Sequence, residues 1–263
     1  MTAATIAVDV GNSAIKLGWQ DDASTDSPIR EARIPLFDGN EHRPDDEWLA
    51  DFSAAVRQLA GPRCWFVASV NEGASQTLVR WIASHDPRDI CQLLTWQDLD
   101  FPLLVRFPHR VGIDRLLGAW SAVQRTGVQD LIAVDVGSAV TIDLVRGGQF
   151  CGGAILPGPR LQFHSLAMGT SQLPEVPWGA AESLEIPGRD THAAIRSGVL
   201  LGLAGAIDRI LDVYQADAST PLPVILTGGD ALVLAGHMKH PLNVQRDAIL
   251  WGILHIAGRR RIE

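Results

Sequence analysis

Lysine is nearly missing from this chain of 263 residues: Lys16 and Lys239 are the two, and arginine carries the rest of the positive charge. A net charge of −8 and a pI near 5.4 leave no basic face for a nucleic acid to use. Cysteine is also scarce. Cys64, Cys91 and Cys151 are odd in number and form no CxxC pair, which excludes a zinc-ribbon site and a disulfide framework and suits thiols in a reducing compartment. No stretch approaches the roughly 20 apolar residues of a membrane helix, and MTAATIAVDVGNS lacks the charged leader of a signal peptide. The expectation is a soluble cytoplasmic protein with no membrane or nucleic-acid partner. Several catalytic signatures are missing too. There is no GxxxxGK[ST] and no GxGxxG opening a helix, and neither HExxH nor GxSxG occurs.

What is present is a repeat. Residues 6–11 read IAVDVG, and residues 132–137 read IAVDVG again. NSAIKLGW follows the first copy and SAVTIDLV the second. Each copy pairs two β-prone runs across a glycine turn, which predicts a hairpin with an aspartate at its tip. Parallel elements follow each copy. In the first half these are a strand at 30–37, a helix at 47–59, a strand at 64–70, a helix at 75–86 and a strand at 90–94. In the second half they are a strand at 149–158, helices near 160–170 and 191–214, a strand at 223–229 and a terminal helix over 241–259. Strands first and then alternating helices and strands imply, in each half, a mixed sheet with helices on its faces. A helical pattern over 112–126 places the boundary there and gives lobes of 1–117 and 118–263, with ligands expected in a cleft between them. The Pro/Gly-rich stretch 173–190 reads as a loop over that cleft.

An Asp-x-Gly turn suits nucleotide phosphates. Glycine lets the backbone N–H groups come close, and the carboxylate holds hydrated magnesium. The first copy offers Asp9, Gly11, Asn12 and Ser13, with Lys16 on the outgoing strand as a point charge. The second offers Asp135, Gly137, Ser138 and Asp143. A lone Asp-x-Gly is usually a polar turn; two in matching contexts point to phosphate chemistry. Gly112-Ile113-Asp114-Arg115 opens the boundary helix. Asp114 reads either as a first-turn carboxylate favoured by the helix dipole or as the proton acceptor of a phosphoryl transfer. Gly228 and Gly229 end a buried strand, a seat for adenosine or a plain strand-to-helix turn.

These residues resemble the type III pantothenate kinases, a bacterial branch of the acetate-kinase, sugar-kinase, heat-shock and actin superfamily. DVGNSAIKLGW, VGIDRL and DVGSAVTIDLV are similar to its phosphate, GxDR and DxGTAxTxD motifs. ASVNEG (68–73), GGAILPG (152–158), SLAMGTSQLPEV (165–176) and GRDTHAAIRSG (188–198) continue the likeness along nearly the whole chain. The resemblance implies an α/β fold of two ribonuclease H-like, actin-like lobes, each a mixed five-stranded sheet with flanking helices. It implies ATP-dependent phosphorylation of pantothenate, the first committed step toward coenzyme A, in a homodimer with pantothenate near the dimer interface. On that pattern Asp9 through Lys16 bind the ATP phosphates, with Asp9 meeting magnesium directly or through water, and Ser138 contacts the nucleotide. Asp114 accepts the proton, and Gly112, Ile113, Asp114, Arg115 and Thr191 line the pantothenate site. Asp135 holds a monovalent cation, K+ or NH4+. Two positions depart from the family: Val105 stands where tyrosine is usual, and Ser138 where threonine is usual. Alternative readings are a kinase for another small hydroxylated substrate, such as a sugar, and a catalytically idle regulatory protein on the same fold.

Overall fold

The computed structural model describes residues 3–20, 27–39, 41–59, 61–178 and 184–260. They form two compact units. The first gathers residues 1–101, 106–121 and 247–263; the second gathers 102–105 and 122–246.

In the first unit, β1 (Ala4–Val10), β2 (Ala14–Trp19) and β3 (Arg30–Pro35) make an antiparallel meander. A two-residue ribbon follows, β4 (Phe37–Asp38) with β5 (Glu41–His42). Next come α1 (Asp45–Val56), β6 (Arg63–Ser69), α2 (Glu72–His85) and β7 (Ile90–Leu93). The sheet order is β3-β2-β1-β6-β7, with β6 parallel to β1 and β7 parallel to β6. Alternation decides the faces. Ile6, Val8 and Val10 share one face and bury against Trp48 and Phe52 of α1 and Leu78 and Ile82 of α2. Phe52 stacks on Trp65 at 5.7 Å between ring centroids, a geometry that adds about 0.5–1.5 kcal/mol to simple burial. Asn71 starts α2 by accepting the Ala74 N–H at 3.1 Å, a cap of the kind that contributes about 1 kcal/mol. The helix expected over 112–126 is α3 (Ile113–Thr126).

In the second unit, β8 (Leu131–Val136), β9 (Ala139–Arg146) and β10 (Gln149–Pro157) repeat the meander. They are followed by α4 (Pro159–Gly169), α5 (Thr191–Gln215), β11 (Val224–Thr227), α6 (Ala231–Ala235) and β12 (Leu242–Val244). The order β10-β9-β8-β11-β12 matches the first sheet position for position, with β11 parallel to β8 and β12 parallel to β11. Ile132, Val134 and Val136 bury against Leu200, Leu203, Ile207 and Leu211 of α5. Asp190 caps α5 by accepting the Ala193 N–H at 2.8 Å. Residues 173–178 and 184–190 form no helix or strand; 179–183 of the expected loop lie outside the described residues.

Two features differ from the sequence expectation. Residues 242–244 form the edge strand β12, and the terminal helix is shorter, α7 (Ala248–Arg260). That helix also packs in the first unit, on β1, β2 and β6, where the sequence boundary had put all of 118–263 in the second lobe. The cause is side-chain fit. Gly18 lies opposite Ala7, on the face away from α1, and a Cβ there would meet Leu250 of α7 at 3.2 Å. No described helix is long and apolar enough to cross a membrane.

Candidate active site

The two copies of IAVDVG become β1 and β8, the central strands of their sheets. The aspartates sit one residue inside each strand rather than at the turn. Asp9 pairs with Lys16 across the first ladder, and Asp135 pairs with Thr141 across the second. Lys16 Nζ lies 3.4 Å from Asp9 Oδ2, and the Asp9 side chain is 7% exposed. Gly11, Asn12 and Ser13 form the turn, closed by the Gly11 N–H donating to the Ala14 carbonyl at 3.1 Å.

Asp114 joins this group in the first unit. It stands in the first turn of α3, and its Oδ1 accepts the Arg115 N–H at 2.8 Å. Burial pushes its pKa up; the Asp9 carboxylate pushes in the same direction, against the Arg115 N–H and guanidinium. A half-buried carboxylate beside a second carboxylate is a stronger base than a free aspartate. Gly112 is needed for this placement, because a Cβ there would lie 2.4 Å from Asp114 Oδ1. Ile113 is 8% exposed and its side chain belongs to the core.

The second unit builds its own cluster at the carboxyl ends of β8 and β11, the edge where open α/β sheets bind ligands. Thr227 of β11 flanks Asp135 on the side opposite Thr141, so hydroxyls border the carboxylate within one sheet face. Asp143, 2% exposed, lies on that face two residues further along β9. Gly228 adopts φ +103°, and a Cβ there would fall 2.5 Å from Asp135 Oδ1. Gly158 presses on the Gly137–Ser138 turn: its N–H donates to the Ser138 carbonyl at 3.0 Å, and a Cβ would stand 2.0 Å from the Gly137 oxygen. These contacts make a cradle that only glycine backbone can line. Thr191 sits elsewhere, at the start of α5, on a groove of about 750 Å3 that also touches Gln162, Gly188 and Ile195. Val105 lies beside Gly152, whose Cβ would meet its Cγ1 at 3.6 Å.

Among the described residues, no group of three or more His, Cys, Asp or Glu side chains could hold a metal ion. Thus Asp9, Gly11–Ser13, Lys16, Gly112, Asp114 and Arg115 belong to the first unit, and Asp135, Ser138, Gly228 and Gly229 to the second.

The family model for type III pantothenate kinase matches residues 5–213, a span that contains Asp9, Asp114 and Asp135. The chain belongs to the type III pantothenate kinase family. A type III pantothenate kinase from Rhodopirellula baltica is 39% identical over 266 residues, covering 93% of each chain. One from Chromohalobacter salexigens is 37% identical over 249 residues, covering 94% of this chain and 84% of that one. Among solved structures, a Campylobacter jejuni protein described as a Baf family transcriptional activator matches with TM-score 0.61 at 20% identity, over 98% of this chain and all of that one. Component A of the Acidaminococcus fermentans (R)-2-hydroxyglutaryl-CoA dehydratase matches with TM-score 0.53 at 12% identity, over the full length of both. These likenesses show the duplicated actin-like fold.

Sequence reasoning missed Arg160 and Trp178 in the second cluster. Arg160, Trp178 and Asp230 meet beside the Gly228 turn. The one available signal was Pro157-Gly158-Pro159, a strand end run directly into a helix start.

Proposed function

We propose that this chain transfers the γ-phosphoryl group of ATP to the primary hydroxyl of pantothenate, the first committed step toward coenzyme A. The observation that carries the reading is Asp114: a carboxylate whose pKa is raised by burial and by the Asp9 carboxylate, in a member of the type III family. Lys16 and the turn N–H groups of Gly11–Ser13 bind phosphate oxygens; Ser138, Gly228 and Gly229 receive the nucleotide from the second unit. Gly112, Ile113, Arg115 and Thr191 line the pantothenate site, Ile113 through its backbone. Asp114 takes the hydroxyl proton as the oxygen–phosphorus bond forms and ADP departs. Because the transition state is loose, this proton moves late, and positioning and charge matter most. Asp9 would hold magnesium, which supplies charge neutralisation on the phosphates. Asp135 would hold K+ or NH4+; the hydroxyl-bearing Thr141 and Thr227 beside it suit a hard cation.

A homodimer is the proposed working form. Its support is exposed apolar side chains on α4 and α5, where Leu161, Met168 and Leu201 are 48%, 74% and 38% exposed. Along α5, exposed Ala194, Gly198 and Gly202 recur every four residues, a spacing that permits close helix contact.

A coupled ADP-release assay tests the function. ADP formation should depend on pantothenate, ignore a panel of sugars, and fall in buffer free of K+ and NH4+. ADP release driven by a sugar, or nucleotide binding with no pantothenate-dependent turnover, would overturn the reading.

A further inference from the structure

Arg160 breaks a local rule. It lies in the first turn of α4, where the helix dipole favours negative side chains, and no acidic residue is present in that turn. A cation placed against the dipole points to a demand from outside the helix. The demand is visible. Asp230 follows the Gly228–Gly229 turn, and its N–H donates to the Val136 carbonyl at 3.1 Å, which fixes it at the end of the strand carrying Asp135. The Asp230 side chain is 9% exposed. Two donors reach it from Arg160, Nε at 3.3 Å and Nη2 at 3.2 Å, and the Trp178 indole N–H donates to it at 2.9 Å. The guanidinium carbon also stands 5.8 Å from the centre of the Trp178 ring, within reach of a cation–π contact.

On the reading above, an anionic triphosphate comes to the Gly137–Ser138 turn. Asp135 and Asp230 both lie at that rim. A buried Asp230 without a counter-charge would repel the phosphates in a setting of weak screening. The Arg160 side chain is 53% exposed. Asp230 takes two of its five N–H groups, so the guanidinium still has donors for a phosphate oxygen.

We infer that Arg160, clamped by Asp230 and Trp178, is a nucleotide-positioning residue that turns an acidic rim into one that accepts a polyphosphate. The inference rests on the proposed ATP site. It adds that the second unit supplies its own phosphate-facing cation, as Lys16 does in the first.

The test uses the full chain. Arg160→Met should raise the KM for ATP and weaken ADP binding by calorimetry by about tenfold or more, with kcat and the pantothenate KM changed by less than about threefold. Arg160→Lys should recover most of the loss. Adding Asp230→Asn to Arg160→Met should also recover ADP affinity, because it removes the charge that Arg160 offsets; a purely structural strap would be weakened further. An active wild type whose Arg160→Met variant binds ADP unchanged sinks the inference and leaves the proposed function standing. So does a double variant with no recovery. A wild type that binds ADP through Arg160 but does not phosphorylate pantothenate sinks the proposed substrate and keeps the inference. If Arg160→Met lowers the melting temperature sharply, the comparison of Arg160→Lys with wild type decides, and equal loss of ADP and pantothenate affinity there overturns it.

Discussion

The two hairpins begin with the same six residues and end with different chemistry. Between Val10 and Ile15 the first turn holds four residues; between Val136 and Val140 the second holds three. That single residue shifts the outgoing strand. Aligned by sequence, Lys16 corresponds to Ile142, but the residue facing the second aspartate is Thr141. One hairpin therefore opposes its carboxylate with an ammonium and the other with a hydroxyl. An ammonium beside a carboxylate suits a phosphate with its metal; a carboxylate among hydroxyls suits a bare monovalent cation. On the proposed assignment, the duplicated motif would divide its labour through turn length, with its strand unchanged.

Asp114 is the largest asymmetry, and removing it should have the largest effect. Asp114→Asn should lower kcat by about 10²–10⁴-fold while leaving ADP affinity nearly intact, as read by turnover and calorimetry. It should also not lower the melting temperature at neutral pH. Burial and Asp9 raise the Asp114 pKa, so the fold favours its protonated form. Its contribution to stability is greatest below the unfolded carboxyl pKa and is lost as pH rises through the folded value. In the wild type, kcat/KM should fall on acidification at a pH above that of an ordinary aspartate.

The next test breaks the second hairpin's frame. Gly228→Ala must place a Cβ at φ +103° against Val136 and Asp135. The backbone strain alone costs about 1–3 kcal/mol, to be read as a lower denaturation midpoint together with weakened ADP binding. Lys16→Thr then gives the first hairpin the second one's kind of partner. The KM for ATP should rise about tenfold, a loss typical of a removed charge-assisted contact, while K+ activation at Asp135 persists. An unchanged KM would mean that the two turns are not chemically distinct.

The smallest effect involves neither turn. Arg260 of α7 pairs with Asp98. Burial pushes the Asp98 carboxyl up, but Arg260 and the Thr95 N–H and hydroxyl outweigh it and hold the pKa low. This contribution is present above the unfolded carboxyl pKa and fades as pH falls through the folded one. Arg260→Met should lower stability by about 1 kcal/mol or less, a difference that disappears in acid.

The fold was legible because a six-residue repeat anchors the middle strand of each sheet, and period-two burial around it fixes the faces. Asp9, Asp114 and Asp135 stood out as candidates for a related reason: carboxylates next to glycine turns carry their own signal. What escaped depended on long-range partners. β12 has three residues, too few for a pattern. The unit to which α7 belongs is decided by a glycine 232 positions upstream, Gly18 against Leu250. Arg160 read as one arginine among many until Asp230, 70 residues away, appeared beside it.

The placement of α7 bears on the order in which the protein can be assembled. Apart from residues 102–105, the second unit is one unbroken stretch, 122–246, whereas the first needs 247–260 to cover a face of its sheet. On the ribosome, the half translated first should therefore be the last to close, with the β1–β2 surface waiting for Leu250 and Ile253 to emerge.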